Sequence, residues 1–267
     1  MTRTSHWAGV LACLWFFLST PAAWAADTYR LVVQPVLAPE ASRAAYQPLV
    51  DYLSRSTGTR IELVTAQNFL TFWQSMRKSG SYDLILDAAH FTAYRMAKLG
   101  YVPLVKLPDV VSFSLVTAEG TLVFSPDELV SKRVATLASP SLGALRLSRM
   151  FPNPIRQPII VEVDNSDDAV KRLLSGDVAA AMIPTPLVAN FPLNTVVTTE
   201  QVPHMCLSAA PTVPEAVRAR IREALLAAGN TEAGRQMLRQ SGLPGFVPAE
   251  PAQYRGYETL LEGTWGY

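Results

Sequence analysis

Apolar residues along the chain recur with two periods, and the two alternate. Tyr29 to Val36 reads as a strand. Ser42 to Ser56 carries Tyr46, Leu49, Val50 and Leu53 at helical spacing, with Gly58 as a stop. Arg60 to Thr65 alternates as a strand, and Asn68 to Lys78 reads as a helix. Asp83 to Leu86 is a short buried strand. His90 to Leu99 is a helix closed by Gly100, and Tyr101 to Leu107 is a strand again. This β-α-β-α-β-α-β order predicts a mostly parallel sheet flanked by helices.

Val110 to Thr117 adds a strand, and then the pattern restarts. Arg133 to Leu137, Pro158 to Val163 and Val178 to Ile183 read as strands. Ser141 to Met150 and Ser166 to Leu174 read as the helices between them. Val196 to Val202 and Met205 to Ala209 follow as strands. The remainder is helical: Pro214 to Ala228, Thr231 to Gln240 and Pro251 to Leu261. A tail without strands of its own must pack on an existing lobe. The expected α/β architecture is therefore two lobes. Residues 26–117 and 210–267 form the first and 118–209 the second, with chain crossings near Thr117 and Ala209. A two-crossing hinge places a ligand cleft between the lobes.

The first 25 residues stand outside this pattern. Arg3, the greasy run Val10 to Leu18 and the Ala23-Trp24-Ala25 site read as a cleaved signal peptide. The apolar run is short for a membrane span, and it continues past Cys13, unlike a lipoprotein signal. The expected product is exported and periplasmic. Without Arg3 the 23 basic residues become 22, equal to the 22 acidic ones. A neutral chain without long charge runs argues against nucleic acid or a membrane surface as partner. Cys206, His90 and His204 are the Cys and His residues left after the leader, so neither a disulfide nor a zinc cluster is expected.

Four stretches share a wider pattern: "YQPLVDYLSRSTGTRIELV", "SYDLILDAAHFTAYRMAKLGYVPLVK", "ATLASPSLGA" and "LLSGDVAAAMIP". In this order and spacing the chain resembles the phosphate/phosphite/phosphonate-type periplasmic substrate-binding proteins of ABC transporters, a branch of the type 2 periplasmic binding fold. The resemblance runs from about Tyr29 to Leu261. It implies two lobes, a hinge, an anion-sized cleft and an inner-membrane permease as partner. A monomer is expected, and no cofactor or metal is implied. A sensory protein of the same fold, reporting to a membrane receptor, is the alternative.

The candidate site follows the strand ends. In "ASPSLGALRLS", Ser139 suits an N-cap and Pro140 the first helical position. The amides of Ser141 and Leu142 would then be free for phosphate-like oxygens, with Gly143 keeping the approach open. Asp87 ends the first lobe's short strand, and two readings stand for it. It either caps the following helix or accepts a proton from a ligand O–H or amine, which would set this ligand apart from a simple phosphonate. His90 and Tyr94 are four apart and share a helix face toward the cleft. Thr185, held between Pro184 and Pro186, and Asn68 with Phe69 complete the expected ligand-binding set. No arginine is expected to face the cleft. Arg146 and Arg149 read as solvated. An enzyme reading would pair Asp87 with His90, but the sequence offers no G-x-S-x-G elbow and no metal set to support it. No catalytic residue is expected.

Overall fold

A computed structural model describes residues 28–267. The expected signal peptide lies outside the described residues. Two sheets form, one for each lobe. The first has the order β13-β4-β12-β3-β1-β2. Its strands are β1 (Thr28–Val33), β2 (Arg60–Val64), β3 (Leu84–Asp87), β4 (Val102–Lys106), β12 (Cys206–Ala209) and β13 (Val247–Pro248). β1 runs parallel to β2 and β3, while β12 pairs antiparallel to both β3 and β4. The second sheet has the order β10-β6-β9-β7-β8. It comprises β6 (Phe113–Ala118), β7 (Arg133–Leu137), β8 (Ile159–Val163), β9 (Ala180–Pro184) and β10 (Leu193–Thr198). β7 is parallel to β8 and β9, and β6 is antiparallel to β9 and β10.

Between the sheets lies a two-stranded ribbon of β5 (Val110–Val111) and β11 (Val202–Pro203), paired antiparallel. This ribbon marks both crossings. The sequence reading put them near Thr117 and Ala209, one strand too late in each case. β6 already belongs to the second sheet, and β12 has already returned to the first. β12 fills the gap between β3 and β4, a long-range pairing that periodicity does not carry.

The helices sit where their buried faces require. α1 (Pro39–Thr57) buries Tyr46, Leu49, Val50, Tyr52 and Leu53, and ends at Gly58 in the left-handed region, φ 63°. α2 (Phe69–Met76) and α3 (Ala89–Leu99) pack through Phe72 and Phe91, ring centroids 5.3 Å apart and edge to face. α4 (Leu142–Met150) and α5 (Ser166–Leu174) flank the second sheet, and a short turn, α6 (Thr185–Val188), follows β9. α7 (Glu215–Leu226) and α8 (Glu232–Ser241) return to pack on α1. The last segment is a pair of 3-10 turns, 251–253 and 257–261, in place of the expected regular helix. No helix among the described residues is long and apolar enough to cross a membrane.

The lobes meet closely. Leu142 and Leu145 of α4 are buried within the first lobe's apolar cluster, and Phe113 and Leu137 pack against it. The His90 Nε2 lies 3.0 Å from the Pro140 carbonyl oxygen, across the seam. Arg149 donates to the Thr259 carbonyl, also across it.

Candidate functional site

β7 delivers its last residue, Leu137, to the space between the lobes, and the chain turns there into α4. The Ser139–Pro140 peptide is cis. The N-cap of α4 is Ser141, two residues later than the sequence suggested. The Ser141 hydroxyl accepts the Ala144 amide at 3.3 Å and donates to the Leu137 carbonyl at 3.2 Å. The Ser141 amide is used as well, donating to Ala138 at 3.0 Å. The free amides therefore belong to Leu142 and Gly143, the first two helical residues, which have no acceptor within the helix. A Cβ on Gly143 would meet the Phe113 ring at 3.1 Å, so glycine lets the hinge aromatic seat against this first turn.

A cavity of about 240 Å³ opens at that turn. Gln34, Phe69 and Ala88 line it from the first lobe. Ser141, Leu142, Gly143 and Ser166 line it from the second, and Val111, Phe113, His204 and Met205 from the hinge. A separate pocket of about 50 Å³ lies beside it, sharing Phe69 and Leu137 and lined by Ala38, Asn68 and Asp164. The walls are mainly apolar. The polar groups are Gln34, Ser141, Ser166, His204 and the α4 amides. Gln34 is oriented by its Oε1, which accepts the Ala88 amide at 3.1 Å and leaves its NH₂ as a donor. His204 Nδ1 accepts the Met205 amide at 2.7 Å, which places the neutral ring's proton on Nε2. Burial, with Lys106 nearby, holds its pKa below the ordinary value.

Residues from the N-terminal ends of five helices line this cavity or the small pocket beside it. They are Ala38 of α1, Asn68 and Phe69 of α2, Ala88 of α3, Ser141 to Gly143 of α4 and Ser166 of α5. Each helix end carries roughly half a positive charge. No lysine or arginine lines either space. The positive potential comes from oriented backbone, which suits a small anion approaching apolar walls.

Four residues of the expected set line the cavity, Ser141, Leu142, Gly143 and Phe69, and a fifth, Asn68, lines the small pocket beside it. Asn68 spends its Oδ1 on capping α2 at the Thr71 amide, 2.9 Å away. Five residues lie elsewhere. Ser139 points behind the turn into a neighbouring cavity. Thr185 closes a hydroxyl network, bonded to Ser112 at 2.9 Å and Ser114 at 3.0 Å, and its neighbour Pro184 takes the wall position. Tyr94 stacks edge to face on Trp73 at 4.9 Å and against Tyr267 at 5.9 Å. His90 is fully buried behind the seam.

Asp87 fits neither reading made from the sequence. The α3 N-cap is Ala88, without a side-chain cap bond. The Asp87 carboxylate is fully buried and grips the Arg95 guanidinium through both oxygens, with Thr92 donating at 2.9 Å. Arg95 also donates to Ser208 at 2.8 Å and lies over the Tyr101 ring. Burial pushes the Asp87 carboxyl up, and the Arg95 charge and the hydrogen bonds oppose it. The pair belongs to the first lobe's core.

Ser166, Val111, Phe113, His204 and Met205 were missed as site residues. Ser166 was legible as the start of a helix after a second-lobe strand, in the same relation to the sheet as Ser141. The hinge residues were not, because the crossings were placed one strand late.

The comparisons agree with this fold. The family model for the periplasmic substrate-binding protein of phosphonate ABC transporters matches residues 31–254. The chain belongs to that family. Its fold is similar to PhnD1 of Prochlorococcus marinus, solved with methylphosphonate, at TM-score 0.74 and 12% identity over 88% of this chain and 97% of that one. It is also similar to a Xanthomonas citri protein solved with ATP, at TM-score 0.71 and 16% identity over 88% and 96%. The binding-protein component of a Pseudomonas aeruginosa phosphonate transporter gives 0.69 and 10% over 86% and 83%. No curated protein matches the sequence significantly. Family members are periplasmic transport proteins that bind a small molecule and serve a membrane permease, so catalysis is not needed to explain the cleft.

Proposed function

We propose that the interlobe cavity captures a small oxyanion bearing a compact apolar group, of the alkylphosphonate class, for delivery to an ABC permease. One observation carries this reading: the N-terminal ends of four helices, α2 to α5, line a small, largely apolar cavity without a basic side chain. The anionic head would take the Leu142 and Gly143 amides, with Ser166, Gln34 and His204 as further partners. The carbon substituent would face Phe69, Val111, Phe113 and Met205. Methylphosphonate, found in the P. marinus protein, has this character. The cleft is complete within one chain, which supports a monomer as the working unit.

A thermal-shift panel tests the class. An alkylphosphonate at about 100 times its Kd should raise Tm by about 5–10 °C. Neutral and cationic metabolites of similar size should not. A response to those alone would sink the oxyanion reading and leave the fold untouched.

Leu142→Pro tests the amides directly. Proline at the first helical position keeps the helix and removes one N–H. Ser141 already has φ −58° and ψ 153°, the extended conformation that a following proline demands. Affinity for the panel's best ligand should fall about tenfold or more, the value of a hydrogen bond to a charged group. Leu142→Ala controls for the lost side chain. Equal affinities in the two variants would place the anion elsewhere.

A further inference from the structure

The polar side chains of the interlobe cavity are turned one way. Glutamine and neutral histidine can each offer a ligand either a donor or an acceptor. Here both have the acceptor tied to a backbone amide. Gln34 Oε1 takes the Ala88 amide at 3.1 Å, and His204 Nδ1 takes the Met205 amide at 2.7 Å. What remains for a ligand is the Gln34 NH₂ and the His204 Nε2–H. The Ser141 hydroxyl is committed within its own turn, accepting the Ala144 amide and donating to the Leu137 carbonyl. The Leu142 and Gly143 amides can only donate. Ser166 adds a hydroxyl that can turn either way. No carboxylate lines the cavity. Asp87, at the end of β3, is held by Arg95 in the core, and Asp164 belongs to the small pocket beside the cavity.

A site lined by donors constrains the protonation state of its ligand. An O–H on the anionic head needs an acceptor. Set against N–H groups, it loses its hydrogen bond to water, and one of the cavity's donors goes unpaired as well. A head without O–H satisfies every donor. Two tetrahedral heads on a short carbon group meet that condition with three bare oxygens each: the phosphonate dianion and the sulfonate monoanion.

We propose that the cavity selects oxyanions free of O–H, so that short alkylsulfonates are ligands of the same site and an alkylphosphonate enters as its dianion. Selection comes from the fixed orientation of Gln34 and His204, which turns an O–H away instead of pairing it. The proposal rests on the interlobe cavity being an oxyanion site, and it names the head group that the site takes.

Calorimetry with methanesulfonate and methylphosphonate, on either side of the second ionisation of methylphosphonate near neutral pH, tests it. On the alkaline side the two should bind within about tenfold of each other. On the acid side methylphosphonate should weaken by about tenfold or more, because only its dianion fraction is competent, while methanesulfonate holds its affinity. Methanesulfonate has no proton to lose, so it reports any titration of the protein's own groups near the cavity. These are His204 with Lys106 and Asp109 beside it, His90 and Arg146 at the seam, and Asp164 in the small pocket. The ratio of the two affinities isolates the ligand's proton. Gln34→Glu keeps an oxygen for the Ala88 amide and adds an acceptor. It should raise the phosphonate-to-sulfonate ratio on the acid side by about tenfold or more. The wild-type ratio decides the matter if that variant does not fold. Methylphosphonate binding without methanesulfonate binding, a ratio that does not move with pH, or a folded Gln34→Glu with the wild-type ratio would overturn this inference and leave the oxyanion reading standing. Binding of neither ligand would overturn both.

Discussion

Arg95→Met is expected to cost about 3–5 kcal/mol of stability, the largest loss of any single polar substitution in the first lobe. Methionine roughly fills the volume of the aliphatic stem but leaves the Asp87 carboxylate without a counter-charge. That carboxylate is fully buried, and Thr92 at 2.9 Å is its remaining hydrogen-bond donor. Ser208, which receives Arg95 at 2.8 Å, loses a partner as well. The double variant Asp87→Leu with Arg95→Met should recover most of the loss, because apolar replacement of both partners removes the desolvation cost along with the attraction. Urea unfolding of the two single variants and the double measures this. Arg95→Met within about 1 kcal/mol of wild type would show that the pair is solvated rather than buried. Ligand affinity adds a second readout. Asp87 does not line the cavity, so any folded variant should keep its ligand preference.

The same pair shows how far the sequence could be read. β7 and α5 appear over the residues the periodicity predicted, since local pattern decides a strand or helix with one buried face. The free amides of α4 were placed one residue early, because Ser139-Pro140 and Ser141 both look like helix starts and only Ser141 makes the cap bond. Asp87 was misread for a different reason. His90 and Tyr94 drew attention as an aromatic face, yet α3 buries a broader one that includes Phe91 and Arg95, four residues apart. The lobe membership of β6 and β12 was not legible at all. Strand identity is local, but β12 is antiparallel to two strands more than 90 residues earlier in the chain.

His90 should make the protein acid-sensitive. Its Nε2 must donate to the Pro140 carbonyl at 3.0 Å, so the neutral ring has its lone pair on Nδ1, which is buried without a partner. Burial drives the pKa from 6.5 down to about 3, and the nearby Arg95 and Arg146 charges add to it. The unfolded chain therefore binds the His90 proton at a pH where the folded chain does not. Stability from this group is complete above about pH 6.5 and falls steadily as pH drops toward 3, by up to about 1.4 kcal/mol per unit. About 2 kcal/mol should be lost by pH 5. Because the bond spans the lobes, one residue before the α4 cap, opening also frees the ring to take a proton. Acid should thus favour the open form and weaken ligand capture before the lobes unfold. His90→Gln offers Pro140 an uncharged donor with no titration. Its urea-unfolding profile between pH 7.5 and 5 should be flatter than that of the wild type. His204, also held below its ordinary value, contributes in the same direction in both proteins and cancels from the difference. Small-angle scattering at the two pH values separates opening from unfolding, since the wild type should expand at pH 5 and the variant should not. Parallel stability profiles for the two proteins would mean that His90 is protonated or solvated in the folded state, and that the cross-lobe bond to Pro140 does not hold the cleft shut.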